Sequence, residues 1–199
     1  SPLEKPSFVA LTGPTAPWVD CTSRTTLFSF SKSKTANLCV DFKENRKLVA
    51  FGREGGDLAI FPIEDHQTRL RHENLKSGPI TTIAFSPFAN EVIAGTAGSI
   101  FIVNIATAKN YRKVDAHRDT VTALVPLKSG NSWASASMDG TVQLWDLTKC
   151  ERIAQVDVGS PIAHMIYHSG RLYAASGGEV YVLATSPRLE VVAHYTAHT

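Results

Sequence analysis

Two sets of apolar segments recur along this chain with one shared period. LAIF, IFIV, VQLW and VYVL end at Phe61, Val103, Trp145 and Leu183, at steps of 42, 42 and 38 residues. ANLCVDF, PITTIAF, TVTALVP and PIAHMIY end at Phe42, Phe85, Pro126 and Tyr167, at steps of 43, 41 and 41 residues. Two independent anchors with the same spacing mark an internal repeat of about forty residues. Such a repeat restricts the chain to architectures built from one recurring supersecondary unit.

Each unit has the same internal order. A run with alternating apolar positions, such as Ile83 and Phe85, is followed by a turn (KENRK, SPFANE, KSGNS or HSGR). A second run rich in small residues follows (LVAFG, VIAGT, WASAS or LYAAS), then a Gly-rich tight turn (GREGGD, AGS, MDG or GGE). A third alternating run ends at the anchor, and a more polar fourth run such as ERIAQVDV closes the unit. Period-two alternation between turn signals describes four antiparallel strands, and Gly, Pro and Asn interrupt any long helix. One four-stranded sheet cannot bury both of its faces alone, whereas radial stacking buries them against neighbouring sheets. The predicted fold is all-β, a β-propeller. Small second-strand residues (Ala94, Ala134, Ala136, Ala174, Ala175) let neighbouring blades approach, and larger third-strand residues fill the space between them.

Composition fits this reading. The chain has 199 residues, 43% hydrophobic and 19% charged, the balance of a globular protein and not of a disordered one. No apolar run approaches the length of a membrane span, and the opening SPLEKPS lacks the basic-then-apolar pattern of a signal peptide. Cys21, Cys39 and Cys150 are an odd number without metal-ligand spacing, which suits a reducing compartment. A net charge of +2 makes no global electrostatic case for nucleic acid.

The stretch from Ala116 to Asp146 resembles a WD40 repeat, on Ala116-His117, Ser135, Asp139 and Trp145-Asp146. The resemblance implies a hydrogen-bonded structural tetrad of His117, Ser135, Asp139 and Trp145. The other units depart from it, with Phe61, Val103 and Leu183 at the Trp position and Glu-Gly-Gly, Ala-Gly-Ser or Gly-Gly-Glu in the tight turn. On this pattern residues 7–30 are a degenerate first blade (FVALTG, PWVDC, TLFSF), and 36–72, 79–115, 117–157 and 160–195 are four further blades. Residues 196–199 are the lead-in to another. About five blades are visible, against the seven usual in the resembled family, so the chain is expected to be part of a larger propeller.

Several residue sets mimic reactive sites. His117, Ser135 and Asp139 are the residue types of a hydrolase triad, but no G-x-S-x-G elbow exists and a triad is defined by geometry. His164 and His168 are spaced as helical zinc ligands, yet on a strand they stand about 13 Å apart, which favours a packing or rim role. The glycines of GREGGD serve a tight turn, and no phosphate-binding P-loop motif is present. Cys39 reads as a small core residue. The expectation is no enzyme activity, no metal, no cofactor, no small-molecule substrate and no membrane contact. Local basicity supplies the candidate contacts to partners or RNA: Lys32, Lys34, Lys43, Arg46 and Lys47 in one segment, and Arg69, Arg71 and Lys76 in the connection DHQTRLRHENLKSG from Asp65 to Gly78, expected to lie outside the compact repeat.

A narrower resemblance is carried by three stretches: SFSKSKTANLCVDFKENRKLVAFGREGGDLAIFPI, VDAHRDTVTAL leading to SMDGTVQLWD, and GSPIAHMIYHSGRLYAASGGEVYVL. In this order they are similar to the Utp15 family of WD-repeat subunits of the small-subunit processome. That implies a nucleolar scaffold in pre-ribosomal RNA transcription and processing, acting among other WD-repeat subunits with weak or indirect RNA contact. The alternative is an adaptor that recognises peptide motifs in another complex (trafficking, ubiquitin ligase or chromatin), with a cytoplasmic location also open.

Overall fold

A computed structural model of the chain describes residues 7–196, apart from positions 31, 32, 44, 46, 66, 68, 88, 108–110, 128–131 and 147. The chain divides into two compact units, Ser1–Ile80 and Thr81–Thr199. The elements of both units are antiparallel strands.

The first unit holds two meanders. Strands β1 (Ser7–Val9), β2 (Ala16–Asp20) and β3 (Thr26–Phe30) pair in sequence order, as do β4 (Asn37–Lys43), β5 (Leu48–Arg53), β6 (Asp57–Pro62) and β7 (Arg71–Asn74). Their facing sides share one core, in which Trp18 and Phe30 meet Val49, Phe51, Phe61 and Ile63. Strand β7 corrects the expectation that residues 65–78 are a connection outside the repeat. Asp57 pairs with Asn74 and Ile60 with Arg71, so the fourth strand of this sheet lies inside that segment. Its polar sequence RHEN hid it, because an outer strand has few neighbours and needs little apolar surface.

In the second unit, β8 (Thr82–Phe85), β9 (Glu91–Gly95), β10 (Ala97–Asn104), β11 (Tyr111–Pro126), β12 (Ser132–Ser137), β13 (Thr141–Asp146) and β14 (Glu151–Asp157) form one seven-stranded sheet. Strands β15 (His164–His168), β16 (Arg171–Ser176), β17 (Glu179–Ala184) and β18 (Glu190–Thr196) form a separate four-stranded sheet. The seven strands are two four-stranded meanders that share β11, which pairs with β10 through residues 111–115 and, after a register shift, Thr120, and with β12 through Val121 and residues 123–126. The unit boundary expected near residue 116 therefore falls inside a single strand. No Gly, Pro or Asn lies between Tyr111 and Val125, and the change of partner is made within the strand, at the register shift that leaves residues 116–119 out of the ladder.

Burial on both faces explains the sequence of the central strands. Along β12 and β13, Trp133 and Trp145 join a core with Ile93, Ile100 and Ile102, whereas Ala134, Ala136, Val142 and Leu144 join another with Met165, Leu172 and Leu183. Alternate side chains thus enter two different cores, and both strands read as small or apolar throughout.

Two polar devices recur with the period. The Cys39 thiol donates to the Ile80 carbonyl at 3.5 Å, the Thr81 hydroxyl to the Val121 carbonyl at 2.6 Å, and the Thr122 hydroxyl to the Ile162 carbonyl at 2.7 Å. Each link ties a first strand to the entry of the following one. There is no room there for a side chain on the second strand: a Cβ on Gly95 would lie 2.8 Å from Val121 Cγ1, and one on Gly52 would lie 2.5 Å from both Cys39 Sγ and Ile80 Cγ2. The other device ends the third strand. Asp146 Oδ1 accepts from the backbone N–H groups of Thr148 and Lys149, as Asp20 does from Thr22 and Ser23 and Asn104 from Ala106 and Thr107. The acid after Trp145 is thus a turn-forming acceptor, which Asp and Asn supply readily.

Candidate functional site: a buried tetrad and two cavities

Strands β11, β12 and β13 and the turn between the last two bring His117, Ser135, Asp139 and Trp145 together. Trp145 Nε1–H donates to Ser135 Oγ at 2.9 Å, and Ser135 Oγ lies 2.8 Å from His117 Nε2. His117 Nδ1 lies 3.1 Å from Asp139 Oδ2 and 3.0 Å from Thr141 Oγ1. The carboxylate also accepts from the backbone N–H groups of Arg118 and Thr141 and from the Thr141 hydroxyl. The tight turn needs Gly140, whose φ is +83°, a conformation that favours glycine.

The protonation states follow from the surroundings. Burial pushes the His117 imidazole below its ordinary value of 6.5, although Asp139 pulls the other way. Burial alone would raise the Asp139 carboxyl, but hydrogen bonds from Arg118 N–H and from both donors of Thr141, followed by His117, hold it below its ordinary range. The set is therefore a neutral imidazole that donates from Nδ1 to a carboxylate and accepts the Ser135 proton at Nε2. Both groups resist protonation when folded, so the unfolded chain binds the extra protons as pH falls. The contribution to stability is complete above the ordinary imidazole value of 6.5 and declines below it, first through His117 and at lower pH through Asp139. Thermal melts at descending pH should show a constant Tm at neutral pH and above and a falling Tm from about pH 6.5 downward. His117→Gln should flatten the upper part of that fall.

The residue types match a hydrolase, but the arrangement leaves no nucleophile to use. Ser135 is 0% exposed, and its hydroxyl is held between an indole and an imidazole. Sequence reasoning missed two supporting residues. Thr141 adds two hydrogen bonds to Asp139, and buried Gln143 donates from Nε2 to the Ala116 carbonyl at 2.7 Å. Alternation along TVQLW placed a polar Gln on a buried strand, and that was the available signal.

Among the described residues no group of three or more His, Cys, Asp or Glu side chains could hold a metal ion. His164 and His168 lie exposed on β15. Burial pushes the Cys39 thiol up to about 12, which keeps it protonated and unreactive.

The candidate contact residues divide. Lys43 is 6% and Arg71 8% exposed, so neither is the surface cation expected of it. Lys43 sits opposite Leu48 at the end of a hairpin, and Arg71 meets Glu73 at 3.4 Å; long aliphatic stems allow such burial. Lys47 is exposed but ion-paired with Glu64. Lys76 is exposed in a turn. Lys32 and Arg46 lie outside the described residues. Lys34 and Arg69 line a cavity of about 300 Å³ with Ser33, Arg53, Asp57 and His72. A cavity of about 460 Å³ adjoins the tetrad, lined in part by His117, Arg118, Asp139, Arg152 and Gln155.

The family model "WD domain, G-beta repeat" matches residues 108–146, the segment that carries the tetrad. The chain is 27% identical over 106 residues to the small ribosomal subunit protein RACK1y of Oryza sativa subsp. japonica, a match spanning 52% of this chain and 32% of that protein. It is 24% identical over 153 residues to the U3 small nucleolar RNA-associated protein 15 homolog of Gallus gallus, spanning 75% of this chain and 29% of that protein. The chain thus spans about a third or less of the length of these two relatives. A chain in the crystal structure of the mitotic checkpoint complex superposes with a TM-score of 0.84 at 16% identity, covering 95% of this chain and 62% of that one. This last likeness is one of fold.

Proposed function

We propose that this chain is a non-catalytic interaction platform in a multiprotein complex, and that it recognises peptide segments of its partners. The observation that carries the reading is the tetrad. The residues with chemical potential are consumed in holding β11, β12 and β13 together, while turns and outer strands keep the exposed polar and charged groups. A rigid sheet scaffold with variable connections is suited to binding. On this reading the sheets are about five blades of a propeller.

The second reading narrows the complex to the small-subunit processome, with a nucleolar location and weak or indirect RNA contact. It is supported by the similarity to the U3 small nucleolar RNA-associated protein 15 homolog, which extends over 75% of this chain.

Affinity purification of the full chain, with mass spectrometry and RNA sequencing of the eluate, separates the readings. A defined set of stoichiometric protein partners without precursor ribosomal RNA favours the peptide adaptor. Partners together with precursor ribosomal RNA favour the processome. A chain recovered alone contradicts both.

A further inference from the structure

The two cavities occupy corresponding places in their sheets. Backbone hydrogen bonds establish the correspondence: Glu54 N–H to Ala36 O matches Met138 N–H to Thr120 O, and Gly56 N–H to Arg53 O matches Gly140 N–H to Ser137 O. Strand register agrees, since Val49 pairs with Phe61 as Trp133 does with Trp145. In the first unit the tetrad positions are therefore Ser33 for His117, Phe51 for Ser135, Gly55 for Asp139 and Phe61 for Trp145. Phe51 and Phe61 replace the hydroxyl–indole link with an edge-to-face ring contact at 5.9 Å. Ser33 and Gly55 put small groups where the second unit has an imidazole and a carboxylate, and Thr35 and Asp57 close in on Gly55, where a Cβ would lie 3.1 Å from Thr35 Cγ2 and 3.2 Å from Asp57 Oδ2, so the cavity is the space left beside them.

Cations border that space. Arg53 is 3% exposed, and its Nε donates to Asn37 Oδ1 at 3.0 Å, while Asn37 in turn donates to the Gly13 carbonyl. Its guanidinium is thus fixed in place, with no acidic partner at ion-pair distance among the described residues. Burial, and then the Arg69 charge, push it below its ordinary value, and Asp57 offsets this only in part. Asp57 itself lies 3.0 Å from His72 Nε2 and accepts from Asn74. Lys34 and Arg69 are exposed at the mouth. Among the described residues the lining therefore carries three cations, of which Arg53 is held in place, against one carboxylate that already has partners.

We propose that this cavity in the first unit binds a phosphorylated side chain of a partner protein, held by Arg53, Arg69 and Lys34. The surplus of two positive charges matches a phosphate dianion, and guanidinium groups suit its oxygens. A volume of about 300 Å³ holds a phosphate and its attachment, not a run of nucleotides. Among the described residues the lining holds no Phe, Tyr or Trp on which a base could stack, a contact that single-stranded RNA binding commonly uses, and its His72 imidazole is paired with Asp57 at 3.0 Å. The site rests on the interaction-platform reading, to which it adds the chemistry of one contact.

Fluorescence anisotropy with a labelled Gly-Gly-phosphoserine-Gly-Gly peptide, its unphosphorylated twin and a labelled oligouridine tests it on the full chain. The phosphopeptide should bind about tenfold or more tighter than its twin, the size expected for charge-assisted hydrogen bonds. Arg69→Ser and Lys34→Ser alter exposed side chains and should leave the melting temperature unchanged while each weakens phosphopeptide binding several-fold. Arg53→Lys keeps the charge but loses the fork and should weaken it further; if that variant fails to fold, Arg69→Ser still decides. Equal binding of the two peptides, indifference to Arg69→Ser, or tighter binding of oligouridine at the same residues overturns the proposal. Partner recovery that survives Arg69→Ser and Lys34→Ser refutes the cavity and leaves the platform standing, whereas a chain that recovers no partner fails the platform itself.

Discussion

Trp145→Ala lowers the unfolding free energy by about 3–5 kcal/mol. The indole is 4% exposed and packs in one core with Ile93, Ile100, Ile102 and Trp133. Truncation leaves a cavity that rigid strands on either side cannot close, and it strips Ser135 of the donor at 2.9 Å. A typical domain has only about 5–15 kcal/mol in total, so the variant is left close to unfolding at room temperature. Trp145→Phe keeps most of the ring volume and loses the N–H, and it should cost about 1 kcal/mol. Phe61 already occupies the corresponding position in the first unit, beside an apolar Phe51 that asks for no hydrogen bond. Urea titrations followed by far-ultraviolet circular dichroism measure both variants without relying on tryptophan fluorescence.

Asp139→Ala is the second large effect, at about 1–3 kcal/mol for each donor left buried without an acceptor. Four donors converge on this carboxylate: His117 Nδ1–H, Arg118 N–H, Thr141 N–H and the Thr141 hydroxyl. The imidazole side chain is fully buried and cannot turn to water. Asp139→Asn retains one acceptor oxygen and should lie between the parent and the alanine variant. A catalytic carboxylate behaves oppositely, because its removal often leaves stability unchanged or improved while abolishing activity. Melting curves of the two variants distinguish these outcomes, and partner binding should fall only as far as folding falls.

The parts of this fold that were legible in the sequence are those that repeat. Alternation and tight turns exposed the period, and the stretch from Ala116 to Asp146 carried the tetrad types at spacings that the strands bring together. The single strand through Ala116 was not legible, because a change of pairing partner leaves no mark on composition. Strand β7 was hidden for a related reason, since RHEN lies at the outside of its sheet. Lys43 and Arg71 were misplaced because local charge density says nothing about where an aliphatic stem is packed. The Thr81 and Thr122 links could have been noticed as hydroxyls standing 41 residues apart, although their acceptors are backbone carbonyls and leave no trace in the sequence. The cationic cavity needed the structure: Ser33 and Gly55 look like ordinary loop residues until strand register shows which side chains they replace.

The central claim is that the four tetrad side chains act as one structural unit, and a double-mutant cycle between Asp139→Ala and Trp145→Phe tests it most directly. These two residues lie at opposite ends of the chain of contacts, which runs through His117 and Ser135. If the set is one unit, the first substitution loosens the imidazole and the hydroxyl, so the second costs less than it does alone. The predicted coupling is about 0.5 kcal/mol or more by chemical denaturation of the parent, both single variants and the double variant. Additivity within about 0.3 kcal/mol would contradict the account and leave four separate side chains that merely lie near one another.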